Sequence, residues 1–288
     1  MFGILGKSLS IGVVTSSYPA TPPDISSRAR GRPSIDWLNW KDARPAASIC
    51  PTGAISYQDL SDQRVARFDL ASCVFCGLCA DVDKAISMTN ICECAALRRT
   101  DMVAAASYRL MPDGTHDRII GPPPGAEAGR HEGPTSPDAS LAALGHQIQQ
   151  RARTIFGRSL HIREVDDGSC NGCEIEIVGL NSPVYDFERF GIHFVASPRH
   201  ADMLLVTGPV TRNMEVALRK TYDATPEPRL VVAVGACGCS GGIFGMNYAT
   251  RGAVDAVIPV DVYIPGCPPN PHALLHGILT AMARWPKS

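Results

Sequence analysis

Eleven cysteines constrain this chain of 288 residues more than any other feature of its sequence. Their number is odd, and most of them lie in short C-x-x-C or C-x-C spacings separated by long stretches without cysteine. A secreted protein stabilised by disulfides ordinarily has an even number of cysteines, so this pattern favours a reducing compartment and metal ligation. The cysteines are therefore interpreted as candidate metal ligands.

The balance of charged and apolar residues excludes several broad classes of protein. The chain has 27 Lys and Arg against 28 Asp and Glu, and 45% of its residues are hydrophobic. A near-neutral chain lacks the basic excess of a polybasic nucleic-acid binder, and its apolar fraction is too high for complete disorder. No apolar run reaches the roughly 20 residues of a membrane-spanning helix. The length predicts two domains, at roughly 100–200 residues each.

The distribution of apolar residues, prolines and glycines predicts four segments, which are 1–30, 31–110, 111–157 and 158–288. The first begins with an amphipathic helix, in which Phe2, Leu5 and Leu9 recur at helical spacing. This stretch is too short and too interrupted for a cleaved signal peptide, so we expect it to be retained. We interpret the segment as one that docks on a partner; a membrane surface and a frayed terminus are the alternatives.

The third segment is rich in Pro and Gly, which interrupt helices and strands. It is predicted to be a linker that ends in a helix. Ser136, Pro137 and Asp138 form a helix start, and apolar residues follow at helical spacing to about Phe156.

Strand-like runs and helical patterns alternate regularly in the last segment. This alternation predicts an α/β domain with a parallel sheet and helices on both faces. In such domains ligands bind at the carboxyl ends of the strands. The second segment is less regular, and a small domain organised by a metal site is expected there. The strand-forming runs of the last segment are HIREVD, IHFVAS, DMLLVT, RLVVAV and DVYIP.

Four cysteines in the N-terminal half have the spacing of a bacterial ferredoxin cluster. Cys73, Cys76 and Cys79 form the run CVFCGLC, and Cys50 stands upstream, before Pro51. In two-cluster ferredoxins the cysteine that precedes the proline ligates the cluster of the other run. Iron prefers soft thiolates, and three cysteines in one tight turn direct their sulfurs into one pocket. These four cysteines are predicted to hold one [4Fe-4S] cluster.

The ligands of a second ferredoxin cluster are absent. The same spacing, counted from Cys50 and Cys79, reaches four positions without cysteine, which are Trp40, Ala43, Ala46 and Asp83. The domain therefore resembles a bacterial two-cluster ferredoxin that has lost one cluster. A zinc knuckle built from the four remaining cysteines is the alternative.

The five cysteines of the C-terminal half lie in Gly-rich turns. Because the carboxyl ends of parallel strands share one edge of a sheet, four of these cysteines are predicted to converge on a second [4Fe-4S] cluster. These four are Cys170, Cys173, Cys237 and Cys267. Cys239 is the alternative to Cys237, which is preferred because it comes first after its strand. Scattered structural cysteines are the other interpretation.

Four further residues near these cysteines have open roles. The C-x-C spacing of Cys92 and Cys94 fits no cluster rule, and spare thiols are expected there. Glu174 is either a proton relay near the second cluster or a solvated acid at a helix start. His200 is either a charge that tunes the cluster or an ordinary core histidine.

The motifs around these cysteines resemble one family closely. From about residue 158 to 284 the chain resembles the small iron–sulfur subunit of membrane-bound nickel–iron hydrogenases of the formate hydrogenlyase type. That subunit is homologous to the complex I subunit that carries the terminal cluster of NADH-quinone oxidoreductase. The similarity rests on DDGSCNGCEIEI, DFERFGI, SPRHADMLLVTGPVT, GACGCSGGIF and VDVYIPGCPPNP.

The N-terminal part carries a second resemblance. Residues 1 to about 110 are similar to the two-cluster ferredoxin subunit of the same complexes, on the motifs MFGILGKSL, SSYPATPP, RGRPSID and CPTGAI. The chain is therefore expected to be a fusion of two neighbouring electron-carrying subunits. The fold implied is a flavodoxin-like α/β domain preceded by a small α+β ferredoxin-like domain.

The resemblance also implies a function, which is an electron relay through two [4Fe-4S] clusters without an active site on this chain. The expected partners are a large [NiFe] hydrogenase-like catalytic subunit and other iron–sulfur and membrane subunits, with no nucleic acid. The expected location is cytoplasmic, peripheral on the cytoplasmic face of the inner membrane through those subunits. A quinone-linked, complex I-like dehydrogenase module is one alternative, and a zinc-stabilised interaction protein is the other.

Overall fold

A computed structural model of the protein describes residues 2–120 and 159–283. Most of the predicted linker lies outside these residues, and so does the helix expected to begin near Ser136 and to end near Phe156. No described helix is both long enough and apolar enough to cross a membrane.

Within residues 2–120 the chain forms three α-helices and two antiparallel sheets. The helices are α1 (Phe2–Ile11), α2 (Arg44–Ile49) and α3 (Leu78–Val82); the strands are β1 (Pro33–Ile35), β2 (Ile55–Asp59), β3 (Gln63–Asp69), β4 (Ile86–Met88), β5 (Val103–Leu110) and β6 (His116–Ile119). β1 pairs with β4, and the other strands form one sheet in the order β2-β3-β5-β6. Alternate residues of β3 are buried, as expected for a strand with one face on the core.

The antiparallel sheet continues beyond the point at which the linker was predicted to begin. Between β5 and β6 the chain makes a tight turn, in which Asp113 Oδ1 accepts hydrogen bonds from the backbone N–H and the hydroxyl of Thr115, at 2.9 and 2.6 Å. The predicted boundary at residue 111 is therefore wrong. Pro112 and Gly114 belong to a hairpin turn, which uses the same residue types as a linker.

The C-terminal half is a flavodoxin-like α/β domain, as predicted. Its strands are β7 (Leu160–Asp166), β8 (Ile192–Phe194), β9 (Met203–Thr207), β10 (Leu230–Val234) and β11 (Val262–Ile264); its helices are α4 (Gly172–Gly179), α5 (Glu215–Ala224), α6 (Gly235–Ser240) and α7 (Pro271–Ala283). The strands are parallel, in the order β11-β10-β9-β7-β8. Every residue of β9 and β10 is buried because both faces of the sheet are covered.

Local sequence determines where α7 begins. Pro271 occupies the first helical position, where its missing N–H needs no partner. Asn270 caps the helix, since its Oδ1 accepts a hydrogen bond from the N–H of Ala273 at 2.8 Å. The helix therefore starts directly after the turn that contains Cys267.

The two halves of the chain share one hydrophobic core. Buried residues of both sheets belong to the same cluster on one face of the parallel sheet, among them Phe68 and Val206. The segment after β4 crosses to the α/β domain, where Ala96 and Tyr263 exchange backbone hydrogen bonds of 3.0 and 2.8 Å. This packing holds the two sets of cysteines in a defined relation to each other.

Candidate metal centres

The first set of cysteines meets in one cavity of the N-terminal half. Cys50 follows α2, and Cys73 follows a 3-10 turn (Leu70–Ser72). Cys76 lies two residues before α3, and Cys79 is the second residue of that helix. All four line one small cavity of about 20 Å³. Cys73 and Cys79 are buried, whereas Cys50 and Cys76 are partly exposed.

Two residues in left-handed conformations give the CVFCGLC loop its shape. Phe75 has φ 57° and Gly77 has φ 86°, which reverses the chain twice within seven residues. The N–H of Phe75 donates a hydrogen bond to Cys73 Sγ at 3.5 Å. Arg30 Nη1 donates to the carbonyl oxygen of Cys76 at 2.7 Å, which fixes the middle of the loop from outside.

The electrostatics of this pocket suit a cationic group. Burial, with smaller contributions from the neighbouring thiols, raises the pKa of the Cys73 thiol to about 12. Burial also raises the pKa of Cys79. Thiolates crowded together away from water are costly unless iron compensates their charge. The donor set therefore fits an iron–sulfur cluster.

The four positions at which ferredoxin spacing finds no cysteine lie in or beside a packed core. Trp40, Ala43 and Ala46 are fully buried. The indole Nε1 of Trp40 donates a hydrogen bond to Asp83 Oδ2 at 2.6 Å. Two of these four positions thus bond to each other directly.

The second set of cysteines meets at the carboxyl edge of the parallel sheet. Cys170 lies in the turn after β7, and Cys173 is the second residue of α4. Cys237 lies in α6, directly after β10, and Cys267 follows β11. The thiols are close enough that the other three raise the pKa of Cys173, and Cys170 and Cys267 raise that of Cys237. Burial, followed by the neighbouring thiols, raises the pKa of Cys237 to about 11.

Glycine makes this convergence possible at one position in particular. Gly235 has φ 78°, and a Cβ atom there would stand 2.8 Å from Cys173 Sγ. The close approach of the α6 turn to α4 therefore requires glycine. The pocket is open on one side, because Cys170 and Cys267 are exposed.

The other three cysteines lie apart from both sets. Cys239 is buried in the shared core, with its Sγ 3.6 Å from the carbonyl oxygen of Ala233. The Sγ atoms of Cys92 and Cys94 bond to local carbonyl oxygens of Asn90 and Ile91 instead. Across residues 2–120 and 159–283, no three Cys, His, Asp or Glu side chains are arranged to hold a single metal ion.

Several acidic side chains lie in β7, directly after it and at the start of α4, close in sequence to Cys170 and Cys173. Both carboxylate oxygens of Glu174 are shielded from water without a hydrogen-bond partner, and this side chain lines an open cavity of about 320 Å³ together with Glu164. Burial, followed by Asp166 and Glu164, raises the pKa of Asp167 to about 8. Burial also raises the pKa of Glu164.

Sequence reasoning identified Glu174 in this group but missed Glu164 and Asp167. Only their burial distinguishes these two acids from ordinary surface residues, and no sequence pattern reveals it. His200 lies elsewhere, exposed on a turn before β9 and therefore at the opposite edge of the sheet from the cysteines. It is neither a core histidine nor a neighbour of the second set.

Fold and site together define a class: a flavodoxin-like α/β domain in which separate turns bring four cysteines to one sheet edge. Residues 170–281 match the model of the family described as the NADH ubiquinone oxidoreductase 20 kDa subunit. This chain belongs to that family.

Individual relatives within the family are similar to this chain over about half of its length. The chain is 50% identical over 144 residues to the probable membrane-bound hydrogenase subunit mbhJ of Pyrococcus furiosus, covering 50% of this chain and 86% of the relative. It is 47% identical over 149 residues to formate hydrogenlyase subunit 7 of Escherichia coli, covering 52% of this chain and 57% of the relative. Among solved structures, an archaeal membrane-bound sulfane sulfur reductase complex matches with 38% identity and a TM-score of 0.40, over 48% of this chain and 73% of that one.

Proposed function

We propose that this protein is an electron-transfer subunit of a membrane-associated, formate hydrogenlyase-type [NiFe] hydrogenase complex. It relays electrons through two [4Fe-4S] clusters to or from a large catalytic subunit and has no active site of its own. Cys50, Cys73, Cys76 and Cys79 hold one cluster, and Cys170, Cys173, Cys237 and Cys267 hold the other.

The observation that carries the proposal is the meeting of four thiols from three separate turns at one edge of the sheet. Turns after β7, β10 and β11 have no packing reason to direct thiols toward one another, whereas an iron–sulfur cluster requires such an arrangement. The names of the relatives, a membrane-bound hydrogenase subunit and a formate hydrogenlyase subunit, support the kind of complex.

The chain's own residues determine how the relay behaves. A bound [4Fe-4S] cluster supplies a one-electron redox centre. The N–H of Phe75 donates to Cys73 Sγ, and hydrogen bonds of this kind stabilise the thiolate charge. Burial of Cys73 and Cys79 keeps water from the first cluster. At the second, Glu174 lies beside Cys173 and is a candidate for carrying a proton toward the partner.

The exposed side of the second pocket fits a protein partner. The loop after α6 presents large apolar side chains to solvent next to Cys237, and Met246 and Tyr248 are 81% and 93% exposed. An apolar patch beside exposed ligands is typical of a surface that another subunit covers. We assign this surface to the large catalytic subunit. The protein then reaches the cytoplasmic face of the inner membrane through the membrane subunits of the complex.

The N-terminal half acts in this proposal as a ferredoxin-like domain with a single cluster. The buried bond between Trp40 and Asp83 supports that assignment, because the side chains at two former ligand positions now satisfy each other. Electrons therefore enter or leave the N-terminal half at the Cys50 cluster itself.

Iron and acid-labile sulfide analysis of the anaerobically purified full chain tests the proposal. About eight irons and a brown absorption are expected. Cys73→Ala and Cys173→Ala should each lose about four irons, because each removes one cluster ligand. Cys92→Ala is the matched control and should keep all of them.

About four irons in the wild-type chain would contradict the two-cluster count, and a colourless, zinc-containing protein would contradict any redox role. The proteins that copurify with the chain test the kind of complex. A large subunit with nickel-binding cysteine pairs is expected, and a large subunit without them, in a complex that reduces quinone, would contradict the hydrogenase assignment.

A further inference from the structure

Arg99 connects the turn that carries Cys73 to the helix that carries Cys237. Its Nη1 and Nη2 donate hydrogen bonds to the two carboxylate oxygens of Asp69, at 2.7 and 2.5 Å. Its Nε donates to the backbone oxygen of Cys239 at 3.1 Å. The side chains of Arg99 and Asp69 are only 26% and 14% exposed, so this charge pair is largely shielded from water.

On one side of the connection, Asp69 holds the backbone that presents Cys73. Its carboxylate accepts hydrogen bonds from the N–H of Ala71 at 3.2 Å and from the hydroxyl of Ser72 at 3.1 Å. These bonds fix the 3-10 turn, and the N–H of Cys73 then donates to the oxygen of Leu70 at 3.1 Å. A change at Asp69 or at its partner is therefore transmitted to Cys73.

On the other side, the carbonyl group of Cys239 belongs to α6, two residues after Cys237. The Sγ of Cys239 lies 3.6 Å from the oxygen of Ala233, so this end of α6 is anchored in the core. Arg99 is anchored as well, because it follows Ala96, which pairs with Tyr263 at the end of the sheet that leads to Cys267. Both ends of the connection are therefore held in place.

We propose that Arg99 is a positioning residue that fixes the separation of the two clusters and provides the bonded route between them. The route runs from Cys73 through Asp69, Arg99 and Cys239 to Cys237. It consists of covalent and hydrogen bonds without a jump through empty space. One cluster is oxidised by one electron as the other is reduced by one, and no ligand bond or proton changes. This inference rests on the proposed function.

The test uses the anaerobically purified full chain and two substitutions of Arg99. Arg99→Met keeps much of the side-chain length but removes the charge and all three hydrogen bonds, and Arg99→Lys keeps the charge but loses the bidentate geometry. Arg98→Met is the matched control, since Arg98 is 78% exposed and pairs with Asp101 at the surface. The readouts are iron content, the EPR splitting between the reduced clusters, and the rate of electron equilibration between them after pulsed photoreduction.

Arg99→Met is expected to retain about eight irons while the splitting weakens and equilibration slows about tenfold or more. Arg99→Lys should show a smaller effect, and Arg98→Met should match the wild type. Arg99→Met with full iron, unchanged splitting and an unchanged rate would overturn the proposal. If Arg99→Met loses iron, the decision passes to Arg99→Lys. Full iron, unchanged splitting and an unchanged rate in Arg99→Lys would then overturn the proposal. A wild-type chain with fewer than two clusters would instead refute the proposed function.

Discussion

At Gly235 a single missing side chain allows the second set of cysteines to meet. Its left-handed conformation and the 2.8 Å approach of Cys173 Sγ to the position of a Cβ are separate constraints, and glycine alone satisfies both. Gly191 has a similar φ of 72°, but nothing lies within 4 Å of its Cβ position. An alanine at Gly191 would therefore add backbone strain alone, whereas an alanine at Gly235 would add the same strain and also crowd the Cys173 thiol.

We predict that Gly235→Ala removes the second cluster and leaves the first. Iron content should fall from about eight to about four per chain, because the added methyl group displaces Cys173 Sγ from the pocket. Gly191→Ala should destabilise the chain by about 1 kcal/mol and retain its iron. Full iron in Gly235→Ala would show that Cys173 is not a ligand.

His116 makes stability depend on pH. Its side chain is buried against the rings of Tyr108 and Trp40. Burial, and then the charge of Arg64, lowers the pKa of His116 from 6.5 to about 4. Between these two pKa values His116 is protonated in the unfolded chain and neutral in the folded chain. The free energy of unfolding therefore falls as the pH drops through that range.

His116 is expected to lower the free energy of unfolding by about 3 kcal/mol when the pH falls from about 7 to about 4. His116→Phe keeps an aromatic ring in the stack and should remove this part of the pH dependence. Denaturant unfolding followed by tryptophan fluorescence at several pH values measures it. His200→Gln, at an exposed histidine, should retain the wild-type dependence; an identical slope in His116→Phe would contradict the assignment.

The loop before α2 and the end of α3 pack together at the positions where ferredoxin spacing finds no cysteine. Trp40 stacks edge-on against Trp37, with ring centroids 5.5 Å apart, and bonds to Asp83 at the end of α3. Ala43 and Ala46 complete the packing from α2 and the residue before it. A large indole and two small methyl groups occupy the space between these elements.

We predict that Trp40→Ala lowers the free energy of unfolding by about 3–5 kcal/mol, since it opens a large cavity and removes the indole donor of Asp83 Oδ2. Trp40→Phe should cost less, because it keeps most of the volume. Leu38→Ala is the control, at a side chain that is 75% exposed, and should change stability by less than about 0.5 kcal/mol. An unchanged free energy of unfolding in Trp40→Ala would mean that α2 and α3 do not depend on this packing.

Across the whole chain, contacts distant in sequence hold the two halves together. The segment that follows α1 lies on the α/β domain, where Tyr18 is buried in the core on the second face of the sheet. Arg189 Nη1 and Nη2 donate to the backbone oxygens of Ser16 and Tyr18, at 2.6 and 2.7 Å. The N-terminal segment, interpreted from sequence as one for partner docking, thus also binds its own chain.

We predict that Arg189→Met releases this segment. Amide hydrogen exchange around Ser16 and Tyr18 should become faster while the strands of the parallel sheet keep their protection, because the lost bonds lie outside the sheet. Arg199→Met, at an exposed arginine of the same domain, is the control and should leave exchange at Ser16 unchanged. Unchanged exchange in Arg189→Met would contradict the role of the arginine.

Much of the fold was predictable because its patterns are local. Alternating apolar runs predicted the parallel strands to within a few residues, and the amphipathic start predicted α1, whereas the short helix α6 was expected to be a Gly-rich turn. The linker boundary was misjudged because Pro112 and Gly114 occur in hairpin turns as readily as in linkers. The ligand roles of the eight cysteines remain predictions.

Cysteine spacing alone was enough to propose a cluster in the N-terminal half and to mark the absence of its neighbour, since C-x-x-C-x-x-C geometry is set within one turn. Only the tertiary structure determined which side chains from different strands and turns lie next to one another. It separated Cys239 from the other thiols, buried Glu164 and Asp167, and placed Arg99 between the two sets. The physical reason is that burial and long-range hydrogen bonding depend on packing between elements, which neither spacing nor periodicity encodes.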